Sequence, residues 1–303
     1  MKKRGTQFLF FIVLFTLCYY GIYWLLFTIK INKEPLIKNV QKEIILDKDI
    51  FGKVYSEFDR TKKYDILFLG SSHCYRSFDP AIFEQEGYSC YNLGSSSQAP
   101  LNSFTILEQT INNCKQVIFE VYPVAGNLTG TEAYYSMACS GIPYSFLAPM
   151  ALELNNLRCY NILSIKQLID HNNENKEYNI KSHYKGYVET KDSLKQKGNY
   201  EEIILKKTIL NEQIEYVNKI ANVCEKNNVA LTLVYAPIPK ELKLTNEEYY
   251  IQKIEDIAST KNIKFLNLGR NHTLNSKNNF FDDDHLNAGG VKLFNENLIE
   301  IIK

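Results

Sequence analysis

The sequence has little excess charge of either sign, and this weighs against a nucleic-acid partner. Its 303 residues include 35 Lys and Arg against 34 Asp and Glu. Without Lys2, Lys3 and Arg4 at the N-terminus, 32 basic residues remain against 34 acidic ones, so the rest of the chain has a net charge of −2. Nucleic-acid binding needs a strongly basic face. We therefore expect no nucleic-acid partner.

The sequence also lacks the cysteine, histidine and glycine patterns of metal and cofactor sites. Its 7 cysteines are scattered without a Cys-x-x-Cys pair, which favours buried free thiols over a disulfide scaffold. No His, Cys and Asp grouping has metal-ligand spacing, and no glycine-rich phosphate loop is present. We expect neither a metal nor a cofactor. The 45% of hydrophobic residues excludes a disordered chain.

A cleavage site is missing after the long apolar run near the N-terminus. Residues Gln7–Ile29 form a run of 23 residues without a charged side chain. As a helix, at about 1.5 Å per residue, this run spans a hydrocarbon core of roughly 30 Å. A secretory signal peptide has a shorter apolar region and a small-residue cleavage site, and the residues after Ile29 offer none. We interpret residues 1–30 as an uncleaved membrane anchor.

The charges around the anchor do not settle its orientation, because three basic residues precede the run and several lysines follow it. Residues 31–62 are rich in Lys and Glu, and we interpret them as a stalk or entry segment. The remaining residues, 63–303, are numerous enough for one domain with a sizeable core. The predicted organisation is an anchor, a stalk and one domain.

Within residues 63–303, short apolar runs alternate with helical patterns. The runs end in Gly, Pro or polar residues, which is typical of strands buried on both faces. The predicted strands are residues 65–70, 90–94, 117–122, 229–235 and 263–268. Residues 201–227 and the segment after Asn287 have apolar residues at helical spacing, with Asn287 as the predicted N-cap. This alternation predicts an α/β fold with a roughly five-stranded parallel sheet and right-handed crossovers.

One long interval does not follow the alternation. Residues 123–200 contain many Tyr, Asn and Ser residues and little clear periodicity. We interpret this interval as an insertion between the third and fourth strands, partly helical.

Polar motifs follow the predicted strands, where ligands sit in an open parallel sheet. The first is Gly70-Ser71-Ser72 after the first strand, and another is Asp282-Asp283-Asp284-His285 before the last helix. Serine hydrolysis needs a nucleophile, a base within hydrogen-bond reach, an acid that orients the base, and donors for the oxyanion. Each motif alone is common in loops and helix caps. Together, in this order, they indicate a serine hydrolase.

These motifs resemble those of the SGNH (GDSL-like) hydrolase superfamily, in its membrane-anchored branch related to cell-envelope acyl-transfer proteins. The stretch from Asp65 to Ser72 stands where the family has a strand followed by Gly-Asp-Ser, and Asp282-x-x-His285 matches its last block. The resemblance implies a three-layer, flavodoxin-like sandwich. It also implies Ser72 as nucleophile, His285 as base and Asp282 as acid, with the backbone amides of Ser72 and Gly94 as oxyanion donors.

Several positions stay open at this stage. The family's third block, Gly-x-Asn-Asp, has no counterpart after the third strand, so its side-chain oxyanion donor is missing or comes from elsewhere, with Gln98 and Asn127 as candidates. Asp283 or Asp284 replaces Asp282 as the acid if the turn differs. Six further residues are open between structural and site roles. The predicted alternatives are packing or tuning of the site for His73, a salt bridge or anion binding for Arg76, loop hydroxyls or a second nucleophile for Ser95–Ser97, and a paired carboxylate or a site residue for Glu120.

The resemblance implies a serine esterase or O-acyltransferase acting on acyl, especially acetyl, esters of an envelope or extracellular polysaccharide. The expected partners are an acylated carbohydrate or acyl donor, and the membrane through the N-terminal helix. The body is expected outside the cytoplasm, because a long domain follows an anchor and because the resemblance implies it. Two other classes stay open: a non-catalytic carbohydrate-binding or assembly protein, and a lipid-directed esterase.

Overall fold

A computed structural model of the chain describes residues 2–31, 34–35, 54–55, 57–127, 183–190, 200 and 202–303. The chain starts with helix α1 (Lys2–Thr28), followed by an antiparallel pair of two-residue strands, β1 (Lys30–Ile31) and β2 (Glu34–Pro35). Within α1, Arg4–Ile22 is long and apolar enough to cross a membrane, with a mean hydropathy of 1.7. The exposed apolar side chains of Phe8 to Leu17 agree with that reading.

A five-stranded sheet forms the centre of the body. Its strands are β3 (Tyr64–Leu69), β4 (Cys90–Asn92), β5 (Cys114–Glu120), β6 (Ala230–Tyr235) and β7 (Lys264–Asn267). They lie in the order β4-β3-β5-β6-β7, and every neighbouring pair is parallel. This is the doubly wound, flavodoxin-like order, in which the chain moves to one side after the first strand and then reverses to the other. The predicted fold class is confirmed.

Helices cover both faces of this sheet. They are α2 (Ser72–Ser77), α3 (Pro80–Gln85), α4 (Pro100–Thr110), α5 (Lys207–Lys226), α6 (Glu247–Lys261) and α7 (Ala288–Ile302). Alternate strand residues face opposite layers. Leu67 and Leu69 join a core cluster with α4, α5 and α6, whereas Ile66 and Phe68 join a second cluster with α3 and α7. The result is a three-layer sandwich.

The predicted N-cap of the last helix is confirmed. The Asn287 side chain accepts a hydrogen bond from the Gly290 amide at 3.0 Å, which satisfies a donor that the helix itself leaves free. Four cysteines of the described body are buried free thiols, namely Cys74, Cys90, Cys114 and Cys224. This agrees with the interpretation of scattered cysteines as packing residues.

Parts of the predicted stalk and insertion belong to the body. Val54, Tyr55 and Phe58 are buried in the larger core cluster, although they precede residue 63. Of the predicted insertion, the structure describes residues 123–127, which include the 3₁₀ helix Pro123–Asn127, together with residues 183–190 and 200. The structure also describes residues 31, 34–35, 57 and 59–62 of the predicted stalk. The remaining parts of residues 31–62 and 123–200 lie outside the described residues, so the domain limits remain predictions.

Residues 183–190, here called the return segment, touch three parts of the body. The Asn92 amide at the end of β4 donates to the carbonyl of Lys185 at 2.9 Å. The Val188 amide donates to the Tyr75 carbonyl in α2 at 3.0 Å, and the amide of Ala288, where α7 begins, donates to Thr190 at 2.8 Å. The return segment therefore joins three elements that carry or flank the predicted site.

Candidate active site

The polar motifs meet at the carboxyl edge of the sheet. Strands β3 and β5 are neighbours, and the chain order reverses between them. In open α/β sheets, ligands bind beyond the carboxyl ends of strands at such a reversal. Ser72 follows β3, Tyr122 follows β5, and the loop with Asp282 and His285 reaches the same edge from between β7 and α7. The fold thus gathers residues that are far apart in sequence.

A tight turn presents Ser72 at the start of α2. Gly70 has φ +144°, a conformation that favours glycine, and a Cβ there would lie 2.6 Å from the Cβ of Glu120. Ser71 is the N-cap of α2. The buried carboxylate of Glu120 holds this residue, since its Oε2 accepts from the Ser71 amide at 3.0 Å and the Ser71 hydroxyl at 2.8 Å. Glu120 is therefore a buried carboxylate that holds the turn through its two hydrogen bonds from Ser71.

Ser72, His285 and Asp282 form a continuous hydrogen-bonded chain. The Ser72 hydroxyl lies 2.7 Å from Nε2 of His285. On the other side of the ring, Nδ1 lies 2.9 Å from each carboxylate oxygen of Asp282. Asp282 also accepts from the amides of Asp284 and His285, at 3.1 and 2.7 Å, which fixes its carboxylate within the loop. With the imidazole proton on Nδ1, Nε2 is free to accept the serine proton.

Asp284 is a second carboxylate on the same imidazole. Its Oδ1 lies 2.7 Å from Nδ1 of His285. Its Oδ2 accepts a hydrogen bond from the Tyr122 hydroxyl at 3.2 Å and lies 3.4 Å from Nε2 of His73. Asp284 was predicted as an alternative to Asp282, whereas the structure places both carboxylates near one ring nitrogen. Asp283, the third member of the run, is exposed.

The two carboxylates shift the titration of the histidine. Burial disfavours the charged imidazole, but the carboxylates of Asp282 and Asp284 outweigh burial and raise the pKa of His285 from 6.5 to about 9. Burial likewise favours the neutral form of each carboxyl, and the contact with His285 outweighs it, so the pKa of Asp282 and that of Asp284 lie below the ordinary value. Burial raises the pKa of Glu120. The loop is therefore strongly stabilised with His285 protonated.

The two backbone amides predicted as oxyanion donors differ in whether they already have a hydrogen-bond acceptor. As the first residue of α2, Ser72 has an amide that the helix does not satisfy, so it is placed to act as a donor. The Gly94 amide is buried and donates to the side chain of Asn92 at 2.9 Å, and its role as an oxyanion donor remains a prediction. That amide has to leave Asn92 before it can reach an oxyanion. The cause is local: the Asn92 oxygen bonds two residues ahead in an Asx turn.

Neither side-chain candidate for the third donor is placed in the site by the described structure. The Gln98 amide donates to the Ser103 hydroxyl at 2.9 Å, while its oxygen accepts from Ser95 and Tyr55 at 2.7 and 3.0 Å. Gln98 is thus a buried structural residue, and Ser95 is a loop hydroxyl in the same network. The side chain of Asn127 lies outside the described residues.

Two residues of α2 approach the carboxylates of the loop, Arg76 that of Asp282 and His73 that of Asp284. Arg76 Nη1 lies 4.0 Å from Asp282 Oδ2, and its guanidinium packs over the rings of Tyr75 and Phe281. Because Nη1 is buried, this atom is not exposed to an anionic ligand. His73 is 1% exposed, and its ring lies between Tyr122 and His285, with centroid distances of 3.8 and 4.8 Å. Both residues act on the site through other side chains.

Tyr122 was not predicted as a site residue. Its position as the last residue of the predicted apolar strand 117–122, at the carboxyl edge, was the available signal. His73, Asp284 and His285 place donor atoms within 4.8 Å of one another, which is close enough for a metal ion to bridge them. Since Nδ1 and Nε2 of His285 are both engaged, by carboxylates and by Ser72, we assign these residues to a proton network. The expectation of no metal and no cofactor remains a prediction.

Fold and site together define a doubly wound α/β protein with a Ser-His-Asp arrangement where the order of its strands reverses. No protein-family model and no curated protein matches the chain. Three solved structures resemble it. A proposed acylhydrolase from Bacteroides fragilis NCTC 9343 has a TM-score of 0.43 and 10% identity, covering 84% of this chain and 95% of that chain. A proposed platelet activating factor from Streptococcus pneumoniae has a TM-score of 0.47 and 9% identity, covering 88% and 98%.

The third is a GDSL-like lipase from Bacteroides thetaiotaomicron VPI-5482, with a TM-score of 0.42, 13% identity, and coverage of 84% of this chain and 100% of that chain.

Proposed function

We propose that the chain is a serine hydrolase or O-acyltransferase that acts on ester bonds through Ser72, His285 and Asp282. The observation that carries this proposal is the unbroken contact from the Ser72 hydroxyl through His285 to Asp282, at 2.7 and 2.9 Å. A weak nucleophile becomes reactive when a base within hydrogen-bond reach takes its proton and an acid orients that base.

The reaction follows from this geometry. The Ser72 oxygen attacks the acyl carbonyl while its proton passes to Nε2 of His285, and the carbonyl oxygen takes up negative charge near the Ser72 amide. When the intermediate collapses, the leaving alcohol takes the proton from Nε2, and the acyl group stays on Ser72 as an ester. Water then releases it in an esterase, or a sugar hydroxyl accepts it in a transferase.

We further propose that the substrate is an acylated polysaccharide of the envelope or outside the cell, with acetyl as the leading acyl group. The resemblance to envelope acyl-transfer proteins supports this, together with a membrane anchor in α1. The catalytic domain would then lie outside the cytoplasm. A reporter fused to the C-terminus tests that arrangement, because activity confined to the cytoplasm would contradict export.

The catalytic assignment is tested by activity and by labelling of the full-length protein in detergent. We expect the wild type to hydrolyse p-nitrophenyl acetate and to bind a fluorophosphonate probe covalently. Ser72→Ala should abolish both, with a loss of about 10³-fold or more in kcat. Ser96→Ala is the matched control, since Ser96 is a partly exposed loop serine on the same edge. A Ser72→Ala protein that keeps wild-type activity would refute the assignment.

A second candidate is a carbohydrate-binding or assembly protein without turnover. The observation that favours it is the Gly94 amide, which is occupied by Asn92. Since the sequence also has no Gly-x-Asn-Asp block after β5, the Ser72 amide is the one implied oxyanion donor without such an obstacle. Sugar binding without probe labelling would support this candidate, whereas labelling at Ser72 would exclude it. Activity on long-chain but not acetyl esters would instead indicate a lipid-directed esterase.

A further inference from the structure

We propose that Asp284 is a positioning residue that contacts Nδ1 of His285 beside Asp282, so that the base is held and charged by two carboxylates. This inference rests on the proposed function. Both carboxylates approach the same atom: Asp282 contacts Nδ1 at 2.9 Å with each oxygen, and Asp284 contacts it at 2.7 Å with Oδ1. One acid suffices for an ordinary triad, so the second contact calls for its own explanation.

Asp284 is fixed in this position by groups from two other elements. The Tyr122 hydroxyl, beyond β5, donates to Oδ2 at 3.2 Å, and His73 of α2 lies 3.4 Å from the same oxygen. Tyr122 and His73 are both buried, at 4% and 1% exposure. A surface carboxylate that approached a histidine by chance would not have its second oxygen held by two buried side chains. The contact is therefore built into the fold.

The charges around the imidazole leave the carboxylates as its main partners. Its own loop contributes Asp282, Asp284 and the exposed Asp283. Helix α2 contributes His73, and Arg76 at 4.0 Å from Asp282. Beyond these, Tyr122 and Glu120 come from the end of β5, and Arg270 acts on Tyr122 from a distance. Two carboxylates face the ring, whereas the one guanidinium nearby is half-buried and lies 4.0 Å from Asp282. The net field therefore favours the imidazolium.

This arrangement changes how the proposed reaction depends on pH. During acylation the Ser72 proton moves to Nε2, and the imidazolium that forms is stabilised at Nδ1 by both carboxylates. The same contacts keep His285 protonated in the resting protein, consistent with a pKa of about 9. A protonated Nε2 cannot accept the Ser72 proton, so kcat/KM should rise with pH until about 9. Asp284 thus gives a stronger base at the cost of activity near neutrality.

The test compares Asp284→Asn, Asp282→Asn, the double variant and the control Asp283→Asn in the full-length protein. Asn keeps the shape and removes the charge. Asp284→Asn should move the acid limb of the kcat/KM profile down by about one pH unit or more, the size expected for loss of a contacting opposite charge. Each single variant should lose about 30-fold or less at the optimum pH. The double variant should lose roughly 10⁴-fold, as when a sole triad carboxylate is neutralised. Asp283→Asn should leave the profile unchanged.

A readout that does not need turnover separates this inference from the proposed function. The five imidazoles are titrated by nuclear magnetic resonance, with His285→Gln to assign the signal. In Asp282→Asn the pKa of His285 should stay above 6.5, because Asp284 remains; in Asp284→Asn it should fall. A pKa of 6.5 or below in Asp282→Asn overturns the inference, even if Asp284→Asn fails to fold. So does an Asp282→Asn loss as large as that of the double variant. If Ser72→Ala stays active, the proposed function fails, while the titration still decides the role of Asp284.

Discussion

Gly70→Ala probes the turn that presents Ser72. In the native turn Gly70 has φ +144°, which side chains rarely adopt. A Cβ at this position would lie 2.6 Å from the Cβ of Glu120, 2.8 Å from its Oε2 and 3.0 Å from the Cβ of Cys74. The first contact involves an atom next to the backbone of β5, so it cannot be relieved by rotating a side chain. The substitution therefore combines an unfavourable φ with a steric clash.

The two effects can be separated with a second glycine. Gly87 also has a positive φ, +88°, but a Cβ there meets nothing within 4 Å. An unfavourable φ costs about 1–3 kcal/mol, and we expect Gly87→Ala to lose this much. Overpacking costs about 1–3 kcal/mol more, so Gly70→Ala should lose about 2–6 kcal/mol in all. The difference between the two variants measures the clash with Glu120.

The free energy of unfolding is measured by urea denaturation of both full-length variants in detergent, followed by circular dichroism. Ester hydrolysis is measured on the folded protein. Displacing Glu120 moves the Ser71 N-cap and with it the Ser72 hydroxyl, and an error of about 1 Å costs roughly 100-fold in rate. Gly87→Ala should keep its activity. Equal stabilities of the two variants, within about 0.5 kcal/mol, with full activity in Gly70→Ala would refute this account of the turn.

Two further predictions concern buried groups. Asn92→Leu leaves the carbonyls of Cys74 and Phe78 and the Gly94 amide without their side-chain partner. The free energy of unfolding, measured by urea denaturation, should fall by about 3 kcal/mol or more. A decrease below about 1 kcal/mol would contradict this role of Asn92. The second concerns His285, whose pKa is raised from 6.5 to about 9 on folding. The contribution of His285 to the free energy of unfolding is fully present below pH 6.5 and is lost as the pH rises through 9. The free energy of unfolding of the wild type should therefore fall by up to about 3 kcal/mol over this interval. His285→Gln should show no such loss, and equal pH profiles of stability would disprove the linkage.

The fold and the main contacts of the site were predictable because they depend on pattern and topology. The predicted strand at 65–70 appears as Tyr64–Leu69, and the one at 229–235 appears as Ala230–Tyr235. Parallel strands place their carboxyl ends at one edge. For this reason Ser72 and His285, 213 positions apart, meet at 2.7 Å. Their catalytic roles remain predictions until activity is measured.

The rest depended on side-chain geometry that a sequence does not display. The contact between Tyr122 and Asp284 joins residues 162 positions apart and requires both rotamers to point into one crevice. Glu120 could be placed at the end of a strand, but the turn that it holds was not apparent. The contact between Asn92 and the Gly94 amide was likewise not predicted, although Asn-x-Gly favours an Asx turn in which the Asn side chain accepts from that amide.

The return segment restricts how the length of this chain can vary. Its backbone exchanges hydrogen bonds with Asn92, Tyr75 and Ala288, so any deletion within residues 183–190 removes partners from three separate elements. Gly186 fixes the register further, because its φ is +89° and a Cβ there would lie 1.8 Å from the Asn92 carbonyl oxygen. A related chain that keeps these hydrogen bonds therefore has to keep the length of the return segment.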